Sequence, residues 1–394
     1  MLYFDYAAST PLHPKALEAM TPYFSEIYGN PSGAHAQGGA AKNAVEAARQ
    51  GIADILNAGR SEVFFTAGGT DAANWAVFGA ARAGRGRHVI TSAVEHHAVL
   101  APCEELARQG FEVTVLRPDG LGLVGLSRLE EALRPDTCLV SIMTANNEVG
   151  TIQPVKELAA AARERGAVFH TDAVQAVGHI PVDVEELGVD LLSFSGHKFY
   201  GPKGCGGLYV RKGTKLAKHL FGGGQEMGRR AGTENVAGIV GMHEALKIAA
   251  AGMEAERERL ERLRDMLASA IVEKVPHSRI NGAAGKGRLP GNVHATFDFI
   301  EGESLLMHLG LHGVCASTGS ACSSGSLDPS HVLLAMGLSH AAANGSLRLS
   351  LGSASGEADI GRLAALLAAA VEKLRKLSPL YDDFVKTGRA PDDA

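Results

Sequence analysis

"EVFFTAGGTDAANWAVFGAARAGRGRHVITS", residues 62–92, reads as strand, turn, helix and strand in that order. "EVFFT" is a short run of β-branched and aromatic residues between polar neighbours, a strand signature. "DAANWAVFGAAR" (71–82) places its apolar residues at helical spacing, and "RHVITS" returns to a strand pattern. Strands separated by a helix of this length belong to βαβ units. The rhythm runs outward from here. "AAKNAVEAARQGIADILNA" (40–58) is an amphipathic helix on one side. On the other, "VLAPCEELARQ", "FEVTVL", "LSRLEEAL", "CLVSIM", "VKELAAAARERG", "AVFHT" and "DLLSFS" alternate as far as residue 195. The expected fold is α/β with a mainly parallel sheet.

The remainder sets limits on that picture. A chain of 394 residues suggests two domains. After residue 235 the pattern changes to a long charged helix, "GMEAERERLERLRDMLASAIVEKV" (252–275), whose charges are expected on a solvated face. "NGAAGKGRLPGN" (281–292) is a glycine-rich loop; "VHATFDF", "GESLLMHLG", "GSLRLSL" and "DIGRLAALLAAAVEKLRKL" then suggest a smaller α+β domain. The acidic end "APDDA" is expected to be disordered. A net charge of −5 gives no reason to expect nucleic acid as a partner. No signal-peptide pattern opens the sequence, and no run nears the roughly 18 apolar residues of a membrane span. Five scattered cysteines argue for a reducing compartment, so a cytoplasmic location is expected.

In an open sheet of this kind ligands bind beyond the carboxyl ends of the strands. Five strand ends carry glycine or polar groups: Gly68-Gly69-Thr70, Glu95-His96, Asn146-Asn147, Asp172 with Gln175, and Gly196-His197-Lys198. A lysine desolvated in a glycine-lined cleft has a lowered pKa and can form a Schiff base with an aldehyde. Ser195 and His197 supply donors beside Lys198. Asp172 suits a carboxylate that keeps a pyridine nitrogen protonated, with Gln175 on the ring's phenolic oxygen; it equally suits a helix cap. "AGGTDAAN" suits a phosphate cradle at a helix N-terminus and fits no dinucleotide or triphosphate motif, although a plain strand-to-helix turn looks the same. His96 could stack on a planar cofactor or be structural. Together these groups describe a pyridoxal phosphate site.

The sequence resembles the cysteine desulfurases, in the NifS/IscS-like branch of class V of the fold-type I pyridoxal-phosphate enzymes. The resemblance spans nearly the whole chain: "YFDYAASTP", "GNPSGAH", "GGTDAAN", "EHHAVL", "NNEVGTIQP", "HTDAVQAVG", "SFSGHKFYGPKG", "GGGQEMGRRAGTEN", "STGSACSSGS" and "SLRLSLG". It implies a large domain (14–254) with a mainly parallel seven-stranded sheet between helices, and a small α+β domain (1–13 and 255–394) carrying a cysteine loop. It implies pyridoxal 5'-phosphate on Lys198, with Asp172 at the ring nitrogen, Gln175 at the phenolic oxygen and His96 on the ring. Gly69, Thr70, Ser195 and His197 would hold the phosphate, and Thr233 would do so from a neighbouring subunit, which implies a homodimer. Asn147, also beside the cofactor, Arg348 and Asn30 would hold the substrate carboxylate. Cys322 would take sulfur from L-cysteine as a persulfide, leaving L-alanine, and pass it to an iron–sulfur scaffold protein. No permanent metal site is implied, only transient cluster ligation by Cys322.

Asp71 stands where that family more often has glutamate, and His97 has no assigned role. Cys205 and Cys315 are expected to be packed residues rather than functional thiols. Selenocysteine lyase activity would use the same residues, and a related class V aminotransferase would need no loop thiol. A metal- or cluster-binding scaffold lacks the required ligand spacing. "CASTGSACSSGS" (315–326) is expected to be mobile over 317–327, so that Cys322 can reach both substrate and acceptor.

Overall fold

The computed structural model describes residues 1–318 and 328–388. Cys322, most of the expected mobile loop and the acidic end therefore lie outside the described residues. Among the described residues the strands are β1 (Leu2–Tyr3), β2 (Val63–Thr66), β3 (His88–Ser92), β4 (Glu112–Leu116), β5 (Thr137–Ser141), β6 (Val168–Asp172), β7 (Leu191–Ser195), β8 (Gly206–Val210), β9 (Ser278–Ile280), β10 (Asn292–Phe297), β11 (Val314–Cys315) and β12 (Ser346–Ser350).

Seven of them form one sheet in the order β2-β8-β7-β6-β5-β3-β4. The pairs β3–β4, β3–β5, β5–β6 and β6–β7 are parallel; β8 runs antiparallel to both β7 and β2. β8 reverses because residues 196–205 are too few for a crossover connection. Four strands thus lie between β2, the "EVFFT" strand, and β3, the strand that follows it in sequence. β2, β3, β5, β7 and β8 are buried along their whole length. Helices cover both faces, which is why these strands read as continuous apolar runs. Val45, Ile52 and Leu56 pack with Phe169, Phe194 and Tyr209 on one face. Trp75, Val99 and Leu106 pack with Leu139 and Leu208 on the other.

A second core gathers Leu2 and Phe4 with Phe297, Leu305, Leu347 and Leu363 around the antiparallel sheet β12-β10-β9. The helix Val236–Lys274 serves both cores: Ile239, Met242 and Leu246 face the first, and Leu260, Leu263, Leu267 and Ile271 the second. Most of its charges face solvent, but Arg264 is buried and donates to the carbonyls of Arg288 and Leu289, and part-buried Arg259 donates to those of Gly352 and Ser355. Cys315 differs from expectation. It is only half-buried, because β11 has a single partner, β1, and one side stays open.

Candidate active site

Beyond β2 the chain turns at Gly68, whose φ of 151° and ψ of −177° lie in a region only glycine occupies freely. The helix Gly69–Ala83 starts there, close against the sheet: a Cβ on Gly69 would lie 2.7 Å from Val174 Cγ2 and 3.3 Å from Ser195 Cβ. Gly69, Thr70, Ser195, His197, Ala8 and Ser9 line one cavity at this helix N-terminus. Unpaired helix N–H groups and the helix dipole make it suited to an anion. His197 is held down at about 4 by burial and by the charges of Lys198 and Lys203, so it is a neutral hydrogen-bonding group there. Asp71 braces the helix start. Its Oδ2 accepts from Ala67 N at 2.8 Å and from Arg230 at 2.7 and 3.0 Å, and its Oδ1 lies 3.0 Å from His219 Nε2.

Lys198 ends a single 3₁₀ turn, Gly196–Lys198, directly after β7. Its Nζ donates to the carbonyls of Ala7 at 2.6 Å and Ala8 at 2.9 Å. Gln175 Nε2 donates to the same Ala7 carbonyl at 3.0 Å. Asp172, the last residue of β6, is buried and accepts from Val174 N at 2.9 Å. That contact closes a turn and caps no helix, since the next helix starts at Val184, and the carboxylate keeps one oxygen for other use. Burial raises its carboxyl to about 6, against the pull of the Val174 N–H and the Lys198 charge. His96 caps the helix His97–Arg108, its Nδ1 accepting from Ala98 N at 3.0 Å. That bond places the ring proton on Nε2, and burial together with the Lys198 charge holds the imidazole at about 4, neutral.

Arg348 lies on β12, buried. Nη1 donates to the Asn147 carbonyl at 3.0 Å, Nη2 to Asp5 Oδ1 at 2.9 Å, and Nε is buried with no partner among the described residues. Ser317 pairs with Arg348 through both backbone hydrogen bonds, so the segment leading toward Cys322 departs from the strand that carries this guanidinium. Asn30 and Thr233 are exposed, and neither lines the Thr70–His197 cavity. Asn30 Oδ1 instead accepts from Ser32 N at 2.9 Å in its own turn. Cys205 is buried beside Asn235 and pushed up to about 12 by burial, an inert thiol. His97 is exposed, its ring 4.7 Å from that of His331. No group of three metal-ligating side chains occurs among the described residues.

Sequence reasoning missed the contribution of residues 5–9. Ala7 and Ala8 act through backbone carbonyls, which carry no residue-type signal. Asp5 is visible only as the partner of an arginine 343 positions away. Glu95, buried beside His96, also gave no pattern.

An anion cup, a buried carboxylate, an amine and a neutral imidazole on adjoining strand ends are the donor set that pyridoxal phosphate requires: phosphate, ring nitrogen, aldehyde and ring face. The residues fit the cofactor. The Aminotransferase class-V family matches residues 2–363, and the chain belongs to that family, whose members work with pyridoxal 5'-phosphate. Within it, the chain is 51% identical over 388 residues to "Cysteine desulfurase IscS" of Methanosarcina thermophila, covering 98% of this chain and 96% of that one. A solved NifS-like protein superposes with a TM-score of 0.89 at 37% identity, covering 95% of this chain and all of its own. A structure of SspA in complex with cysteine matches at a TM-score of 0.79 and 39% identity, covering 89% and 99%.

Proposed function

We propose that this enzyme is a cysteine desulfurase, converting L-cysteine to L-alanine and delivering the sulfur through Cys322 to an acceptor protein for iron–sulfur cluster assembly. The observation that carries the reading is the meeting of Lys198, Asp172 and the Gly69–Thr70–Ser195–His197 cup, joined to the cysteine desulfurase relatives. Bound pyridoxal phosphate supplies an aldehyde that captures the substrate amine and a protonated ring that withdraws electrons. Thr70, Ser195, His197 and the helix N–H groups bind its phosphate, Asp172 holds the proton on its ring nitrogen, and Gln175 donates to its phenolic oxygen. Lys198 Nζ takes and returns the substrate Cα proton. His96 covers the ring and holds a transferable proton at Nε2. The Arg348 Nε–H, with Asn147 and Asn30, orients the substrate carboxylate. A free thiol with a pKa of about 8.5 is a few per cent thiolate near neutrality, so Cys322 needs a base; His96 can take that role only once it has given up its Nε2 proton, since Ala98 N already engages Nδ1. The sulfur step balances: the substrate Cβ–S bond breaks, an S–S bond forms at Cys322, and one thiol proton ends on the alanine methyl group.

Thr233, exposed and apart from its own subunit's cup, supports a homodimer in which it reaches the partner's phosphate. Phe24, Tyr28, Leu220, Phe221 and Met227 are large apolar side chains left exposed, surface that a partner would cover. The division 14–254 against 1–13 and 255–394 follows the two cores, with the helix Val236–Lys274 as the strut between them. Cys103, Cys138, Cys205 and Cys315 are free thiols, in keeping with a cytoplasmic enzyme.

The test is purified enzyme with cysteine and a reductant. Yellow protein that forms alanine and sulfide in equal amounts is expected. Lys198→Ala abolishes turnover; Cys322→Ser keeps the cofactor and still shifts its spectrum with cysteine, yet releases no sulfur. Parental sulfide formation by Cys322→Ser would overturn the mechanism. Selenocysteine as substrate tests the lyase side activity, and alanine formation that requires an amino donor and a keto acid would indicate an aminotransferase.

A further inference from the structure

Beside Asp172 the enzyme carries a second buried carboxyl that the mechanism above does not use. Glu95 has no solvent exposure. Its Oε1 accepts from Ser92 Oγ at 2.9 Å and from Met143 N at 2.8 Å. Among the described residues its Oε2 is buried without a hydrogen-bond partner. The next residue after Met143, Thr144, donates its N–H to the Asp172 carbonyl at 2.9 Å. Consecutive peptide groups therefore hold the Glu95 carboxyl and the Asp172 backbone.

A carboxylate with one dry, unpartnered oxygen is a costly arrangement, and costlier with a second carboxylate nearby. The groups facing Glu95 do not compensate it. Asp172 approaches from β6 and would repel it. Cys103, from the helix His97–Arg108, is pushed up to about 12 by burial first and the Glu95 charge second, and stays neutral. His96 and His97 follow in the chain, and His331 Nε2 contacts only the Glu95 backbone carbonyl, at 2.9 Å. Lys198 acts on Asp172 and His96, and no lysine or arginine pairs with Glu95 among the described residues. Burial, and then the Asp172 charge, push Glu95 up to about 8, while Asp172 stands at about 6. Two carboxyls whose surroundings separate their titrations take different roles, one anionic and one neutral.

We propose that Glu95 is a positioning residue kept as a neutral carboxylic acid, tying the His96 turn to Ser92 and Met143 while leaving Asp172 the anion that would pair with the cofactor's ring nitrogen. This rests on the pyridoxal phosphate reading. When Glu95 ionises, its proton leaves to solvent and a second negative charge appears beside Asp172, which alters the protonation and absorption of the bound cofactor.

The test is the visible absorption of the holoenzyme, titrated from about pH 6 to about pH 10 in the parent, Glu95→Gln and Glu95→Ala. The parent should show a spectral step near 8. Glu95→Gln, the neutral isostere, should retain the cofactor, keep kcat/KM within about twofold and lose that step, whereas Glu95→Ala, which unties the turn, should lose about tenfold or more. A step that survives in Glu95→Gln, or a tenfold loss of activity or cofactor affinity in it, overturns the proposal. Should Glu95→Gln fail to fold, an infrared titration of the parent decides: a protonated-carboxyl band at neutral pH that disappears near 8 supports the proposal, and its absence at neutral pH overturns it. A parent with no visible cofactor band would instead overturn the cofactor reading, and the infrared titration would still report on Glu95.

Discussion

Arg348 donates to the carboxylate of Asp5 at 2.9 Å, joining β12 to the N-terminal segment across 343 positions of sequence. Together with the Asn147 carbonyl this contact fixes two of the three guanidinium nitrogens and leaves Nε for a ligand. On the proposed role of Arg348, Asp5 would set the orientation in which the guanidinium meets the substrate carboxylate. Asp5→Ala leaves a buried guanidinium nitrogen unpaired, and the cost should fall at roughly 1–3 kcal/mol because Asp5 itself is partly exposed. Steady-state alanine formation should show KM for cysteine raised about tenfold with kcat changed less, the mark of lost ground-state binding.

Asp71 ties the phosphate-binding helix to the segment that carries Arg230 and, three residues on, Thr233. Burial alone would raise its carboxyl; hydrogen bonds from His219 and Ala67 N and the Arg230 charge outweigh that and hold it at about 2. A carboxyl depressed in this way stabilises the fold above its unfolded pKa, and that contribution fades as pH falls from about 4 toward 2. At neutral pH it is fully present. Asp71→Asn should lower stability by about 2 kcal/mol in urea titration and weaken cofactor binding about tenfold in equilibrium dialysis. Unchanged cofactor affinity would show that the brace does not reach the cup.

Lys198, Asp172, His96 and Thr70 were legible because each ends or follows a strand whose apolar run is unmistakable, and the ends of parallel strands share one edge. What holds them was not legible. Ala7 and Ala8 receive the Lys198 amine through backbone carbonyls, and a carbonyl has the same sequence signature everywhere. Arg230 finds Asp71 across 159 positions, a pairing that only the closed fold creates. The reversal of β8 was readable in hindsight from the shortness of residues 196–205. Cys315 is less enclosed than the apolar "LHGVC" suggests, although β11 packs it beside Tyr3 of β1.

Acid should unfold this protein earlier than its carboxylates alone would dictate. Burial holds His170 and His294 at about 3 and His96 and His197 at about 4, against 6.5 for an ordinary imidazole. The unfolded chain therefore takes up protons below about 6.5 that the fold refuses until about 4, so this stability is complete above 6.5 and fades as pH falls through that window. Glu95 and Asp172, raised instead, bind protons in the fold and oppose the trend. These four histidines against the two carboxyls leave about two excess protons on the unfolded chain, or roughly 3 kcal/mol per pH unit before His197 is discounted for being only half-buried; His88, His179 and His243, also lowered by burial, act in the same direction. Urea midpoints compared near pH 7 and near pH 5 should show a fall of this order, with m unchanged.

The proposed sharing of active sites between two subunits makes a prediction that neither single variant can make. Glu226 anchors the segment before Thr233 through a buried bidentate pair with Arg49, at 2.8 and 3.0 Å, and accepts Phe65 N at 2.8 Å. Thr233 is thereby presented from a fixed base while its hydroxyl side stays exposed. If Thr233 serves the partner's cup, each site in the dimer takes Lys198 from one subunit and Thr233 from the other. Thr233→Ala homodimers should bind the cofactor about tenfold more weakly, and Lys198→Ala homodimers should turn over no cysteine. Unfolded together and refolded, the two variants form hybrid dimers in which one site has both mutations and the other has neither. Cofactor titration of the mixture should reveal a class of sites with parental affinity, and turnover at low cofactor concentration should rise above that of either variant. Were Thr233 to serve its own subunit, every hybrid site would keep one defect and no parental class would emerge.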